Sequence, residues 1–265
     1  MPRITKTQTY AAYGINFDGK KIEAPLFGKI NPLLVNGNEK LGKGVWTWST
    51  LPTTKEFAVA DENGENVVTV SGTCPVSCPG CYATAGCYCF RSTKYSLAIK
   101  TVLARTELDF LVRAIIAQIK ADKIRLLRIH CAGDFFSAEY IDAWKRIVKA
   151  CPECVFWSYT KNPAAENAFD DCDNCNIVKS RINGIGFNFG KCGYIIKAYN
   201  ALKAAGKNVY ICRCGIDRNQ HCTNCKGCSR NEYVLFVEHS TSYKAEEDPD
   251  FPELKSLIES QEYPA

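Results

Sequence analysis

An α/β fold arranged as a partial (βα) barrel is what this sequence predicts, and three observations carry the prediction. From residue 66 onward, short β-branched or aromatic runs alternate with amphipathic stretches of about a dozen residues, the rhythm of βαβ units around a parallel sheet. About five to six such units fit, too few to close an eight-fold barrel. Residue types that carry chemistry recur just after the strand candidates, at the edge where βα folds build their sites.

Residues 1–65 are rich in Gly, Asn and Pro and read as an irregular β-hairpin region packed on the core. Within it, Trp46 and Trp48 flank Thr47 in the alternation of a half-buried strand. The barrel-like region spans residues 66–240, and an acidic, Pro-broken tail covers 241–265. ENVVTVSG is the first strand of the barrel-like region and leads into a cysteine loop. STKYSLAIKTVLA is a helix with Ser92 as N-cap candidate. TELDFLVRAIIAQIK is another, with Thr106 and Asp109 in capping-box spacing and Leu108, Leu111, Val112, Ile115, Ile116 and Ile119 on one face. KIRLLRIH is a strand closed by CAGDFF, and SAEYIDAWKRIVKA is a helix capped by Ser137. CVFWSYT is a strand, followed by a polar insertion and a further strand in INGIGFNFG. The helix YIIKAYNALKAAG ends at Gly206, and NVYIC and EYVLFVEH are the last strands.

With 46% hydrophobic and 23% charged residues, the composition is that of an ordinary globular domain. No apolar run approaches the roughly 20 residues of a membrane helix, and the first residues lack a signal-like apolar core, so a cytoplasmic protein without a membrane partner is expected. The net charge of +5 is spread along the chain and permits an anionic substrate without indicating one.

The 16 cysteines are the outlier. In a reducing compartment, clustered thiols point to metal rather than disulfides. Cys74, Cys78 and Cys81 form C-x3-C-x2-C in TVSGTCPVSCPGCYATAG. A tetrahedral zinc wants four ligands and a redox pair two, whereas three suit a centre that keeps one position open. Cys87 or Cys89 offers a fourth ligand for the structural-zinc alternative. A second run, ICRCGIDRNQHCTNCKGCSR, supplies Cys212, Cys222, Cys225 and Cys228, a four-thiolate set for zinc or for a closed iron–sulfur cluster. Cys214 could replace Cys212, with His221 a further substitute. Cys151 with Cys154 and Cys172 with Cys175 are two more C-x2-C pairs. They could together bind zinc, although a strand candidate separates them. Cys192 reads as a buried small hydrophobe, and His130 is either a packed core histidine or a site residue.

The C-x3-C-x2-C loop after a strand, with AGD after the next strand, resembles the radical S-adenosylmethionine (SAM) superfamily. That resemblance implies a [4Fe–4S] cluster on Cys74, Cys78 and Cys81 whose open iron chelates SAM. It also implies reductive cleavage of the sulfonium bond to a 5′-deoxyadenosyl radical, and an electron donor such as a flavodoxin or ferredoxin. Ala132, Gly133 and Asp134 stand where that superfamily carries a Gly-Gly-Glu-like turn that binds the methionine amino group. Two departures are plain: Gly80 precedes the third cysteine where an aromatic is usual, and Asp134 is one methylene shorter than Glu. Three stretches, CPVSCPGCYATAG, RIHCAGDFFSAEYIDAWKRI with FWSYTKN, and the late C-x2-C-x2-C, resemble more closely the phage-type gene product 88 family. The expected function is therefore a radical SAM-like iron–sulfur enzyme with a second metal centre, acting on an unknown substrate such as a nucleotide or nucleic acid. The alternative is a metal-stabilised nucleic-acid-binding or sensing protein without catalysis.

Overall fold

The computed structural model describes residues 4–37, 41–60, 67–78, 81–182, 184–213, 216–217, 220–225, 227–238 and 243–261. Helix α1 (Lys6–Ala12) opens with a capping box between Thr5 and Gln8, and the hairpin β1 (Ile22–Ala24)/β2 (Gly28–Ile30) follows. Strand β3 (Val35–Asn36) then pairs antiparallel with β4 (Val45–Thr47). Next come β5 (Glu56–Ala60), β6 (Val67–Ser71), α2 (Arg91–Thr106), α3 (Leu108–Asp122), β7 (Leu126–Ile129), α4 (Ala138–Ala150) and β8 (Val155–Thr160). The short α5 (Pro163–Glu166) leads to β9 (Cys175–Lys179), β10 (Arg181–Ile182), β11 (Gly186–Phe187) and β12 (Phe189–Gly190). Helix α6 (Cys192–Ala204), β13 (Val209–Ile211), the one-turn α7 (Cys222–Cys225), β14 (Tyr233–Val237) and α8 (Phe251–Glu259) complete the order.

The main sheet runs β3-β4-β7-β8-β9, with β4, β7, β8 and β9 mutually parallel. A second sheet, β12-β14-β13, is wholly parallel. Single backbone bonds join the two edges: Lys179 N–H donates to Glu232 O (3.0 Å) and Asn188 N–H to Ser180 O (3.2 Å). The sheets are open, and no barrel closes among the described residues.

Two sequence expectations about these strands differ from what is observed. The strand before the cysteine loop, β6, is not a member of the parallel sheet; it pairs antiparallel with β5 over its whole length. The parallel sheet instead begins at β4, inside the region read as an irregular N-terminal wrap. Strand β9 lies in the stretch read as a polar insertion, because CNIVK presents Cys175, Asn176 and Lys179 among its five residues. Helix ends also shift. The N-cap of α2 is Phe90 rather than Ser92, and the capping box expected at Thr106 is replaced by Glu107 as cap, with Thr106 Oγ1 donating to Val102 O (3.0 Å). Ser137 caps α4 as expected, accepting from Tyr140 N–H, and Gly206 takes a φ of 69° just past α6.

The largest core cluster fills the space between the main sheet and helices α2, α3 and α4. Trp48, Trp144, Tyr140, Phe135 and Phe156 are fully buried there, and Trp48 Nε1–H donates to the Tyr140 hydroxyl at 2.8 Å. A separate cluster from α6, β13, β14 and α8 covers the second sheet, including the 0% exposed Cys192, whose thiol accepts from the Tyr243 hydroxyl. No helix among the described residues is long and apolar enough to cross a membrane.

Candidate functional site

The parallel strands deliver β4, β7 and β8 to one edge, and the chain uses that edge three times. Past β4, Trp48 and Thr50 keep the parallel spacing: Cys131 N–H donates to Trp48 O (3.1 Å) and Thr50 N–H to Ala132 O (3.0 Å). The β5–β6 hairpin then leaves and returns, and Thr73 clips the return onto Leu51 O with both its N–H and its Oγ1 (each 2.9 Å). Cys74 comes next. Its N–H donates to Thr53 O (3.1 Å), and its sulfur accepts from Thr53 N–H (3.2 Å). The first thiol is thus fixed against the end of β4 although the chain between them detours through a hairpin.

The Ala132–Asp134 turn packs directly beside this clip. Gly133 has a φ of 84°, and a side-chain carbon there would overlap Thr50 Oγ1 and lie 2.6 Å from Thr73 Oγ1, so only glycine fits. Asp134 is 2% exposed. Its Oδ1 accepts from Phe135 N–H (2.8 Å) and Thr160 Oγ1–H (2.6 Å), and its Oδ2 from Lys161 N–H (2.9 Å). Burial pushes the carboxyl up to about 6, against the downward pull of these donors. The Asp134 carboxylate therefore ties the turn after β7 to the end of β8 and leaves few lone pairs for a ligand.

Cys74, Cys78 and Cys81 are each partly exposed on this edge. Burial, and then the Asp134 charge, push the Cys74 thiol up to about 12; burial also raises Cys78, opposed by the Lys161 ammonium beside it. Pro79 and Gly80 lie outside the described residues. Among the described residues no three Cys, His, Asp or Glu side chains are gathered to ligate one metal ion. The donor set itself fits an iron–sulfur cluster: three soft thiols on one loop, with a cation placed to stabilise their anionic form.

The late cysteines approach the same edge. Cys212 ends β13, Cys222 and Cys225 are on α7, and Cys228 follows in a 3₁₀ turn; Cys214 lies outside the described residues. Their neighbours carry no signal in the cysteine spacing. Cys131, 7% exposed, packs in one cluster with Cys222 and Cys228, while Cys212, Cys225 and Cys228 share the adjoining one. Tyr159 O–H donates to Cys228 Sγ (2.7 Å), and the Tyr210 hydroxyl lies 3.4 Å from Cys225 Sγ. The Arg128 guanidinium sits over the Tyr159 ring at 4.7 Å and reaches the Tyr82 hydroxyl at 3.3 Å, while that hydroxyl donates to Cys131 O. Arg128 Nε and His221 Nδ1 are shielded from solvent without a hydrogen-bond partner among the described residues.

A buried lysine, Lys100, and the partly buried Arg128 thus both lie near Cys131. The groups acting most strongly on Arg128 are Cys131, Tyr82, Tyr159 and Cys222, with no carboxylate among them. Lys100, 7% exposed over the Trp48 ring, is pushed down to about 8 by burial, and Cys131 alone pulls the other way. Holding a buried lysine and a partly buried arginine against neutral thiols is costly, and thiolate anions would relieve it. Cys131 had no spacing partner in the sequence. Its signal was the pattern R-x2-C on a strand end, legible only once the late cysteines are folded against it.

His130 is a core residue. It is 3% exposed, its Nε2 lies 2.9 Å from the Tyr140 hydroxyl, and Phe135, Tyr140 and Trp144 surround the ring. Burial, helped by Arg128, pushes it down from 6.5 to about 3. The unfolded chain therefore takes up a proton that the folded chain refuses, and the neutral imidazole's contribution fades as pH falls below 6.5 toward 3. The stability penalty of His130→Gln is expected to shrink on acidification by up to about 1.4 kcal/mol per pH unit. Paired urea titrations of wild type and variant at pH 7.5 and 5.5 check this; a pH-independent penalty would contradict it.

A family profile described as Gene product 88 matches residues 32–196, which take in the C-x3-C-x2-C loop, the Ala132–Asp134 turn and the main sheet. The chain belongs to the gene product 88 family. Among curated gene product 88 relatives, the Gene 88 protein of Mycobacterium phage L5 is 32% identical over 102 residues, covering 32% of this chain and 43% of the relative. The Gene 88 protein of Mycobacterium phage D29 is 46% identical over 37 residues, 14% of this chain and 15% of the relative. The chain thus spans less than half the length of these curated relatives. No solved structure matches it.

Proposed function

We propose that this gene product 88 protein is a radical SAM-like iron–sulfur enzyme with a partial (βα) barrel architecture. The observation that carries the reading is the fixing of Cys74, the first thiol of the cysteine loop, beside the Gly133 turn, on the same edge of a parallel sheet. Cys74, Cys78 and Cys81 would hold a [4Fe–4S] cluster, which when bound supplies an open iron for SAM and the electron for its reductive cleavage. The chain's own residues do the holding. Thr53 N–H and the Lys161 ammonium offset in part the burial that raises the Cys74 and Cys78 thiols. The Asp134 carboxylate is occupied in bracing the turn, so contact with the methionine amino group falls to the Ala132–Gly133 backbone and the remaining lone pair of Asp134 Oδ2.

The late cysteines would form a second metal centre. The partly buried Arg128 and the buried Lys100 support an anionic metal–thiolate group there and add Cys131 to Cys212, Cys222, Cys225 and Cys228 as a candidate ligand. Substrate and electron donor have no signature in the described residues. A nucleotide or nucleic acid as substrate, and a flavodoxin or ferredoxin as donor, rest on the sequence resemblance alone.

The test is anaerobic purification with iron, sulfide and zinc analysis, followed by electron paramagnetic resonance of the reduced protein with and without SAM. Iron, sulfide and a signal altered by SAM are expected. Zinc alone, in protein that resists cluster reconstitution, overturns the enzyme reading in favour of a metal-stabilised binding protein.

A further inference from the structure

The edge of the main sheet opposite the candidate site carries four more cysteines. Cys151 ends helix α4, and Cys154 immediately precedes β8; the turn between them closes through Cys154 N–H to Cys151 O at 3.0 Å. Cys172 and Cys175 repeat the arrangement before β9, with Cys175 N–H donating to Cys172 O at 3.0 Å. Parallel pairing brings the two turns side by side: Phe156 stands opposite Cys175, and Phe156 N–H donates to Asn174 O at 2.8 Å. Asn174 then locks them. Its Nδ2 donates to Val148 O, Cys151 O and Cys154 O at 3.2, 3.1 and 3.0 Å, so the second turn is clipped onto the first.

We propose that Cys151, Cys154, Cys172 and Cys175 form a structural four-thiolate zinc site, separate from the candidate catalytic edge. Two C-x2-C turns, each closed by its own backbone bond and docked by a third side chain, provide the ligand type, number and local spacing of a Cys₄ zinc site. The thiols act on one another's charge in a continuous chain, Cys151 on Cys154, Cys175 on Cys154, and Cys172 on Cys175. Burial, and then Glu153 or Asp171, raise these thiols, and Lys120, Arg125, Lys145 and Lys149 offset this only in part, so the charge that makes them thiolates must come from the bound zinc. Cys151 and Cys154 are completely buried, as the inert interior of a closed site requires. A polar cavity of about 480 Å³ opens onto Cys172 and Cys175, lined by Glu166, Asp170, Asp173 and Glu232 together with Lys179 and Arg230, and connects the second turn to solvent.

The four thiols are not gathered on one point in this structure, so closing the site takes side-chain rotation. The Cys154 thiol is now turned to Val155 O at 3.8 Å and the Cys172 thiol to Asp171 Oδ1 at 3.7 Å, both long, weak contacts. Binding exchanges four thiol protons for one zinc ion and involves no electron transfer. The four cysteines take no part in the proposed SAM chemistry, so the two readings fail separately.

The test uses the full-length chain purified without chelator. Native alkylation followed by peptide mass mapping is expected to show these four thiols protected and reduced, and a mercurial, which caps the thiols as mercaptides, should release zinc that 4-(2-pyridylazo)resorcinol reports. Cys151→Ser with Cys175→Ser should lose one zinc per chain, whereas Cys172→His should keep it. Iron content and the SAM-dependent signal are followed in parallel, and zinc loss with both intact assigns the metal to this edge. Rapid native alkylation of all four thiols, a Cys151–Cys154 or Cys172–Cys175 disulfide, or unchanged zinc in the folded double variant would each overturn the proposal. Because the mapping is done on wild type, a variant that fails to fold does not decide the matter.

Discussion

Gly133→Ala is expected to destabilise the protein by about 3 kcal/mol or more, the sum of left-handed backbone strain and overpacking against two buried hydroxyls. The position is held at a φ of 84°, and the added carbon would meet both Thr50 Oγ1 and Thr73 Oγ1, which are themselves hydrogen-bonded at 2.9 Å. Neither hydroxyl can retreat easily: Thr73 Oγ1 donates to Leu51 O and accepts from Asp134 N–H. Gly206 is the control. It also has a positive φ, 69°, but no atom within 4 Å of the place a side-chain carbon would take, so Gly206→Ala is expected to cost only about 1 kcal/mol. Thermal unfolding separates the two, since each kcal/mol moves the midpoint by about 2–4 °C in a chain of this size. Equal shifts would mean that the contact with Thr50 and Thr73 relaxes freely, and that Gly133 is required for its backbone alone.

Under the radical SAM-like reading proposed above, Cys78→Ala is expected to abolish cluster binding and, with it, all SAM cleavage, while leaving the folded core nearly as stable as in wild type. The side chain is partly exposed and belongs to none of the described core clusters. Its loss removes one of three thiolates and the partner of the Lys161 ammonium, and two thiolates do not retain an open-site [4Fe–4S] cluster. Iron content and 5′-deoxyadenosine release under reducing conditions check this. Undiminished SAM cleavage by the variant would remove the Cys74–Cys81 loop from the mechanism. The opposite pattern, retained activity but a large drop in unfolding temperature, would make the loop a structural staple.

Much of the fold was legible because its signals are local. The periodicity of α3 and α4, the Ser137 cap and the apolar runs of β7, β8 and β14 need no partner to be read. What escaped depends on partners far along the chain. Val67–Ser71 has the composition of a buried strand, but whether it joins the parallel sheet or folds back on Glu56–Ala60 is decided by pairing, which composition does not encode. Strand β4 was legible as a half-buried strand from Trp46 and Trp48, but its place in the parallel sheet depends on β7 lying beside it. At the candidate site, the C-x3-C-x2-C and C-x2-C-x2-C spacings were visible, whereas Cys131, Arg128 and Lys100 were not. Their significance lies in a buried lysine and a partly buried arginine set among thiols, a grouping that arises only when α2, β7 and α7 meet. Asp134 was found by its place in AGD, but its grip on Thr160 and Lys161 required the end of β8 to be alongside.

The Thr73–Leu51 clip makes the β5–β6 hairpin a side branch: the chain departs from the sheet edge and rejoins it at nearly the same point. The location of the first thiol is then indifferent to how many residues the branch contains, in the way a knot in a rope fixes a position regardless of the slack beyond it. Relatives could lengthen, shorten or redecorate this branch without moving the cysteine loop, so the sequence interval between Trp48 and Cys74 is a place where the family can diversify what approaches the mouth while the chemistry beneath stays in register.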